Sequence, residues 1–194
     1  MGKHGSYFDT TARVALASDA RFGDDTALMN DSELEGWKRC LLRSDGAGEL
    51  LVAGAFAKRF GPLDTTLACV CGRSECWCGF SAHRTLPGAM RYRPLTYPIA
   101  HVVIAGDLRF GGGRQKEYLI GYRQTVLQIL WPRLCAGDGC LSPAEGLTQK
   151  SEGTLLPACQ EHGATHSLEL ESERSGTKML WLSTDYTRWT LAQR

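Results

Sequence analysis

Apolar residues recur at Leu34, Trp37, Cys40 and Leu41, the three- and four-residue steps of a helix with one buried face. Ser32 with Glu35 three positions later forms a capping box, so the spacing predicts a helix opening at Ser32. SDGAG over 44–48 is turn chemistry, and ELLVAGAFAKRF over 49–60 reads as a second helix that Gly61-Pro62 stops, completing a helical hairpin. A further helical stretch lies near 10–20 (TTARVALASDA). In RQKEYLIGYRQTVLQILW the apolar positions 118, 119, 122, 126, 129 and 130 predict a long helix that Pro132 ends. Residues 99–110 (IAHVVIAGDLRF) fit a strand or a short buried helix equally. Beyond them HSLELESE and TKMLWLS alternate around RSG, which predicts a C-terminal β-hairpin, and STDYTRWTLAQR predicts a short helix capped by Ser183 or Thr184.

Composition changes this picture little. With 194 residues, 43% hydrophobic and 22% charged, the chain is long enough to bury a core. It fits one domain with appendages or two small lobes, divided at 1–65, 66–134 and 135–194. The N-terminal residues lack the apolar run of a signal peptide, and LLVAGAFA and HVVIAG fall far short of the roughly 20 residues a membrane span needs. The expectation is a cytoplasmic protein with no membrane partner. In that reducing setting eight cysteines are better explained by metal than by disulfides.

Charge is uneven although the formal net is +1. Residues 1–65 carry 8 basic and 10 acidic groups, 66–134 carry 9 and 3, and 135–194 carry 5 and 8. The middle third is therefore +6, and all its bases but Lys116 are arginines, whose planar fork matches phosphate. Some of that excess also offsets thiolate charge, with Arg73 and Arg84 flanking the first cysteine cluster.

Two groups of metal-ligating residues stand out. Cys69, Cys71, Cys76 and Cys78 form two Cys-x-Cys pairs separated by GRSE, a compact spacing for four thiolates on one ion. Structural zinc, an iron–sulfur cluster, a disulfide, or a site that trades one thiol for His83 all remain open there. The second group is more specific: Cys135-x4-Cys140, then Cys159-x2-His162 after 18 residues, with Gly137, Gly139, Pro157 and Gly163 supplying turns. This segment, 134–163, resembles the small zinc hairpins of zinc-ribbon or treble-clef type. The resemblance implies a structural site with Cys135, Cys140, Cys159 and His162 as ligands, and His166 as the substitute fourth ligand. The expected cofactor is zinc, two ions per chain. The architecture expected is α+β: a helical N-terminal half with a four-cysteine zinc loop, a long helix, a zinc-ribbon or treble-clef-like hairpin, and a C-terminal β-hairpin.

Other patterns weigh less. GGGRQK (111–116) reads as a flexible turn or a phosphate-holding loop, without the GxxxxGK[ST] of a nucleotide site. Tyr92, Tyr97, Tyr118 and Tyr122 interleave with Arg91, Arg93 and Arg123, as core residues or as base-stacking partners. Trp131, Trp181 and Trp189 read as core. His83, His101, Ser81 and Asp107 lack any catalytic motif around them, and a four-ligand zinc has no open position for water. The chain is thus expected to be a non-enzymatic zinc-binding regulator contacting nucleic acid or a transcription complex, with Arg91, Arg93, Arg109, Arg114, Lys116 and Arg123 on the contact face. A zinc-stabilised protein–protein adaptor and a metal-dependent hydrolase or nuclease are the alternatives. The oligomeric state is left open.

Overall fold

The computed structural model describes residues 33–44, 50–54, 61–62, 64–66, 79–91, 95–106, 108–111 and 117–183. Among them about 50% lie in strands and 15% in helices, so the helical N-terminal half and the long helix are both overturned.

The first predicted helix is strand β1 (Glu33–Ser44). Its inward positions are Gly36, Lys38, Cys40, Leu42 and Ser44, all buried at every second residue. Gly and Lys at two of those positions hide the alternation, while the outward Trp37 and Leu41 supply the false helical stripe. The second predicted helix contains β2 (Leu50–Gly54), antiparallel to β1 from Cys40↔Gly54 to Ser44↔Leu50, and β2 in turn pairs with β3 (Gly61–Pro62). Residues 55–60, the helix predicted near 10–20 and Ser32 of the capping box lie outside the described residues.

The predicted long helix is two strands, β8 (Tyr118–Gly121) and β9 (Arg123–Trp131), set around Tyr122. Strand β6 (Ile99–Ala105), the segment left open by periodicity, pairs antiparallel with β9, and the register shifts between His101↔Gln128 and Val102↔Val126. Leu127 is the extra residue of this bulge. It moves the buried set from Gln124 and Val126 to Ile129 and Trp131, a three-residue step that imitates helical spacing.

Hydrogen-bonded pairs run β9-β6-β1-β5-β8, with β5 (Phe80–His83) meeting β1 at Trp37↔His83. The chain passes directly from β8 through Tyr122 into β9, so the five strands form a ring closed by the chain itself and not by a further strand pair. Small residues line the closest approaches between these strands. A Cβ on Gly36 would stand 2.8 Å from the Cβ of Ala82, and one on Gly121 would stand 2.6 Å from the carbonyl oxygen of Ala105. Gly121→Ala is therefore expected to lower stability by about 1–3 kcal/mol, because backbone rather than a flexible side chain must shift. A chemical-denaturation midpoint equal to wild type would contradict the ring closure. Strand β4 (Asp64–Thr66) extends the sheet from β9, and β7 (Arg109–Gly111) extends it from β8.

The C-terminal β-hairpin is also corrected. Ser167 caps a helix, α2 (Leu168–Ser175), through Leu170 N–H donating to its hydroxyl at 3.1 Å, and Gly176 ends it with φ +64°. The following strand β12 (Lys178–Trp181) is not a hairpin partner but runs parallel to β9, from Lys178↔Gln128 to Trp181↔Trp131. Of the terminal helix predicted over 183–194, residues 184–194 lie outside the described residues.

Two clusters fill the fold. The larger joins Cys40, Leu42, Phe80, Ile104, Leu119, Ile129 and Trp131 of the ring to Leu147, Leu155 and Leu168 from beyond residue 135. The smaller lies under α1 (Leu86–Met90), where Ala89 and Met90 meet Ile99, Leu130 and Leu182. Buried Arg39 ties that side together, donating to the carbonyls of Tyr97 at 2.7 Å and Met90 at 3.2 Å. Lys38 reaches inside the ring to Gln124 Oε1 at 2.9 Å and lies 5.6 Å from the centre of the Phe80 ring.

Candidate metal centre

The second cysteine group forms a compact centre because the chain around it is folded by local hydrogen bonds. After Trp131, Cys135 and Cys140 lie on a tight knuckle, in which Cys140 N–H donates to Gly137 O at 3.0 Å and Cys135 N–H to Ser142 O at 3.1 Å. A hairpin follows, β10 (Gly146–Gln149) antiparallel to β11 (Leu155–Ala158), in register from Gly146↔Ala158 to Gln149↔Leu155. Ala136 N–H donates to Pro157 O at 2.8 Å, which lays the knuckle against the end of β11. Cys159 then opens a 3₁₀ turn (Gln160–His162) closed by Gly163 at φ +75°. The turn brings Cys159 and His162 to the same side, three residues apart.

One ligand atom from each of Cys135, Cys140, Cys159 and His162 lies within 4.8 Å of all the others. Cys140 Sγ is 3.9 Å from Cys159 Sγ, and Cys159 Sγ is 3.2 Å from His162 Nδ1. Three thiols and an imidazole at such separations are the donor set of a tetrahedral metal site. Cys135 and Cys159 are buried, Cys140 is partly exposed and His162 is exposed, so the centre is dry on its inner side and open to water on the other.

Polar groups and burial act differently on the three sulfurs. Gly137 N–H points at Cys135 Sγ at 3.4 Å. The backbone and hydroxyl of Ser142 bring the Cys140 thiol down to about 7. Burial raises the Cys159 thiol, opposed by the N–H of His162. Ser142 was not singled out from the sequence, although its place two residues after a ligand, matching Gly137 after Cys135, was the available signal.

Gly137 has a steric role besides. A Cβ there would lie 2.4 Å from Cδ2 and 2.6 Å from Nε2 of His162. Gly137→Ala is expected to displace the imidazole and weaken metal binding at least tenfold in a chelator competition, as outer-shell changes at metal sites do at about 10–100-fold. An unchanged affinity would show that His162 is not held over Gly137.

His166, the substitute ligand, is engaged elsewhere. Its Nδ1 is 2.9 Å from Glu171 Oε1, an oxygen that also accepts from Arg174 at 3.1 Å. Glu171 is 2% exposed, and this buried carboxylate fastens α2 to the segment after the 3₁₀ turn.

Of the remaining predicted site residues, those that are described lie apart from these four. Cys69, Cys71, Cys76 and Cys78 lie outside the described residues, as do Arg93, Arg114, Lys116, Asp107 and Trp189. Arg91 ends α1 with its side chain exposed. Arg109 lies over the Tyr122 ring at 5.9 Å, Arg84 over Phe110 at 5.5 Å, and Arg123 pairs with Glu33 across Ala105. Tyr118 is buried. His101 stacks on Trp37 at 4.0 Å and contacts Glu35 at 2.9 Å, and His83 tilts against Tyr118 at 4.5 Å. The four free cysteines among the described residues are Cys40 and the three of the centre. Among the same residues, no helix is long and apolar enough to cross a membrane.

Comparison of the chain with protein-family models, with curated proteins and with solved structures finds no match.

Proposed function

We propose that the chain is a non-enzymatic zinc-stabilised binding protein that contacts nucleic acid or a transcription complex through its β-ring. Zinc suits the centre because two thiolates about 2.3 Å from a tetrahedral zinc stand roughly 3.8 Å apart, close to the 3.9 Å between Cys140 and Cys159. Four protein donors fill a zinc's coordination, which favours a structural role over hydrolysis or nuclease chemistry. A second zinc on Cys69, Cys71, Cys76 and Cys78, and a cytoplasmic setting, belong to the same proposal.

The observation that carries the contact face is a separation of charge. Arg84, Arg91, Arg123 and Arg133 are exposed and precede the metal centre in the chain. On that side the exposed acids described are Glu33 and Glu35. From residue 135 on, exposed Asp138, Glu145, Glu152, Glu161, Glu169 and Glu173 outnumber exposed Lys150, Arg174 and Lys178, so that part of the chain would repel phosphate. The metal hairpin thus supports the ring, and the ring's arginines supply the attraction. Binding to duplex and single-stranded probes is expected to weaken as salt rises. Replacing Arg91, Arg109 and Arg123 by Ala is expected to reduce the logarithmic salt slope by about one for each phosphate no longer neutralised. A slope near zero would favour the adaptor reading instead. That second reading has its own support in the pairing of Arg123 with Glu33 and the seating of Arg84 and Arg109 on aromatic rings.

A further inference from the structure

We propose that the metal centre is also an oxidant-responsive switch, in which peroxide attack at Cys140 closes a Cys140–Cys159 disulfide and expels the ion. The switch rests on the zinc reading given above and goes beyond it by assigning a modification site and a signal.

Exposure separates the thiols. Cys40 is 0%, Cys135 2% and Cys159 4% exposed, whereas Cys140 is partly open to solvent. Cys140 stands between Gly139, whose side-chain direction meets no atom within 4 Å, and Leu141, which is 74% exposed. Exposed His162 continues the same opening. A small oxidant therefore reaches the Cys140 sulfur before any other described thiol, and the Cys159 sulfur waits behind it at 3.9 Å. Cys40 is further protected because burial pushes its thiol up to about 12, leaving it protonated and inert.

The chemistry balances with peroxide as the oxidant. The Cys140 thiolate attacks one peroxide oxygen, the O–O bond breaks, and hydroxide leaves, giving a sulfenic acid. The Cys159 thiolate attacks that sulfur and displaces a second hydroxide, forming the S–S bond. Two thiolates lose two electrons, peroxide gains them, and the two hydroxides are protonated to water by the buffer. The ion then keeps only Cys135 and His162 of its four donors and departs. Strands β10 and β11, which deliver Leu147 and Leu155 to the shared core, lose the anchor at their open end.

The experiment treats the zinc-loaded full chain with hydrogen peroxide in the presence of a chromogenic zinc chelator, followed by alkylation, trypsin and non-reducing mass spectrometry. Cleavage after Arg133, Lys150 and Arg174 puts Cys135 and Cys140 in one peptide and Cys159 in the next, while Cys69 to Cys78 fall in peptides ending at Arg73 and Arg84. The expected result is zinc release in step with a disulfide joining peptide 134–150 to peptide 151–174 through Cys140, with Cys135 still alkylated. Cys40→Ala is expected to release the same amount, and dithiothreitol with added zinc is expected to restore the centre. Zinc that stays bound with the two peptides unlinked, or a Cys135–Cys140 disulfide within one peptide, would overturn the switch. A chain that holds no zinc at this centre before peroxide is added would overturn the zinc reading instead.

Discussion

If the cluster of Cys135, Cys140, Cys159 and His162 holds the proposed zinc, chelation is expected to melt the hairpin and loosen the β-ring with it in one cooperative step. The magnitudes decide this outcome. A structural zinc site contributes on the order of 10–16 kcal/mol of apparent binding free energy, while a whole domain is stable by only about 5–15 kcal/mol. The hairpin has no separate core to fall back on, because Leu147, Leu155 and Leu168 pack in the same cluster as Leu42, Ile129 and Trp131 of the ring. Loss of the ion therefore removes part of the ring's own interior. Near-UV circular dichroism and a thermal melt, each recorded with and without chelator, are expected to show the aromatic signal collapse and the transition fall together. A melt unchanged by chelation would mean that the core holds the hairpin without metal.

Trp131→Ala is expected to cost about 3–5 kcal/mol. Trp131 is 0% exposed and sits at the end of β9, where it aligns with Trp181 of β12 and accepts the Leu182 N–H at 2.7 Å on its carbonyl. Its indole Nε1 is buried without an acceptor. Trp131→Phe should therefore be far milder, about 1.5 kcal/mol or less, because it keeps most of the apolar volume and removes a donor that is desolvated for nothing. Denaturant midpoints of the two variants give the comparison. Equal losses for Ala and Phe would show that Trp131 does not fill the space between ring and hairpin.

The clustering of Cys135, Cys140, Cys159 and His162 was legible in the sequence because its information is local. Two pairs of ligands, each flanked by glycine or proline, need only a knuckle and a 3₁₀ turn to meet, and hydrogen bonds a few residues apart build both. The ring was not legible for the opposite reason. Its inward face is set by partners far along the chain, so Gly36 and Lys38 occupy interior positions that no apolar pattern announces. At β9 the bulge at Leu127 shifted the buried positions by one residue, and the resulting step from Val126 to Ile129 had the period of a helix. Around residues 168–176 the local signals were present: Ser167 as a cap, acidic residues in the first turn, and Gly176 as the stop. Alternation of leucine and glutamate masked them, since Leu168 and Glu171, rather than Leu168 and Leu170, are the buried pair. Tertiary demand for a buried carboxylate beneath His166 and Arg174 outweighed a two-residue pattern.

The measurement that bears most directly on the account is the zinc content of the purified chain beside that of its Cys159→Ser variant, by elemental analysis at known protein concentration. A difference of about one zinc per chain, appearing together with a lower melting transition in the variant, is the result expected of a four-ligand centre that anchors the hairpin to the ring. Equal metal content in the two proteins would contradict it.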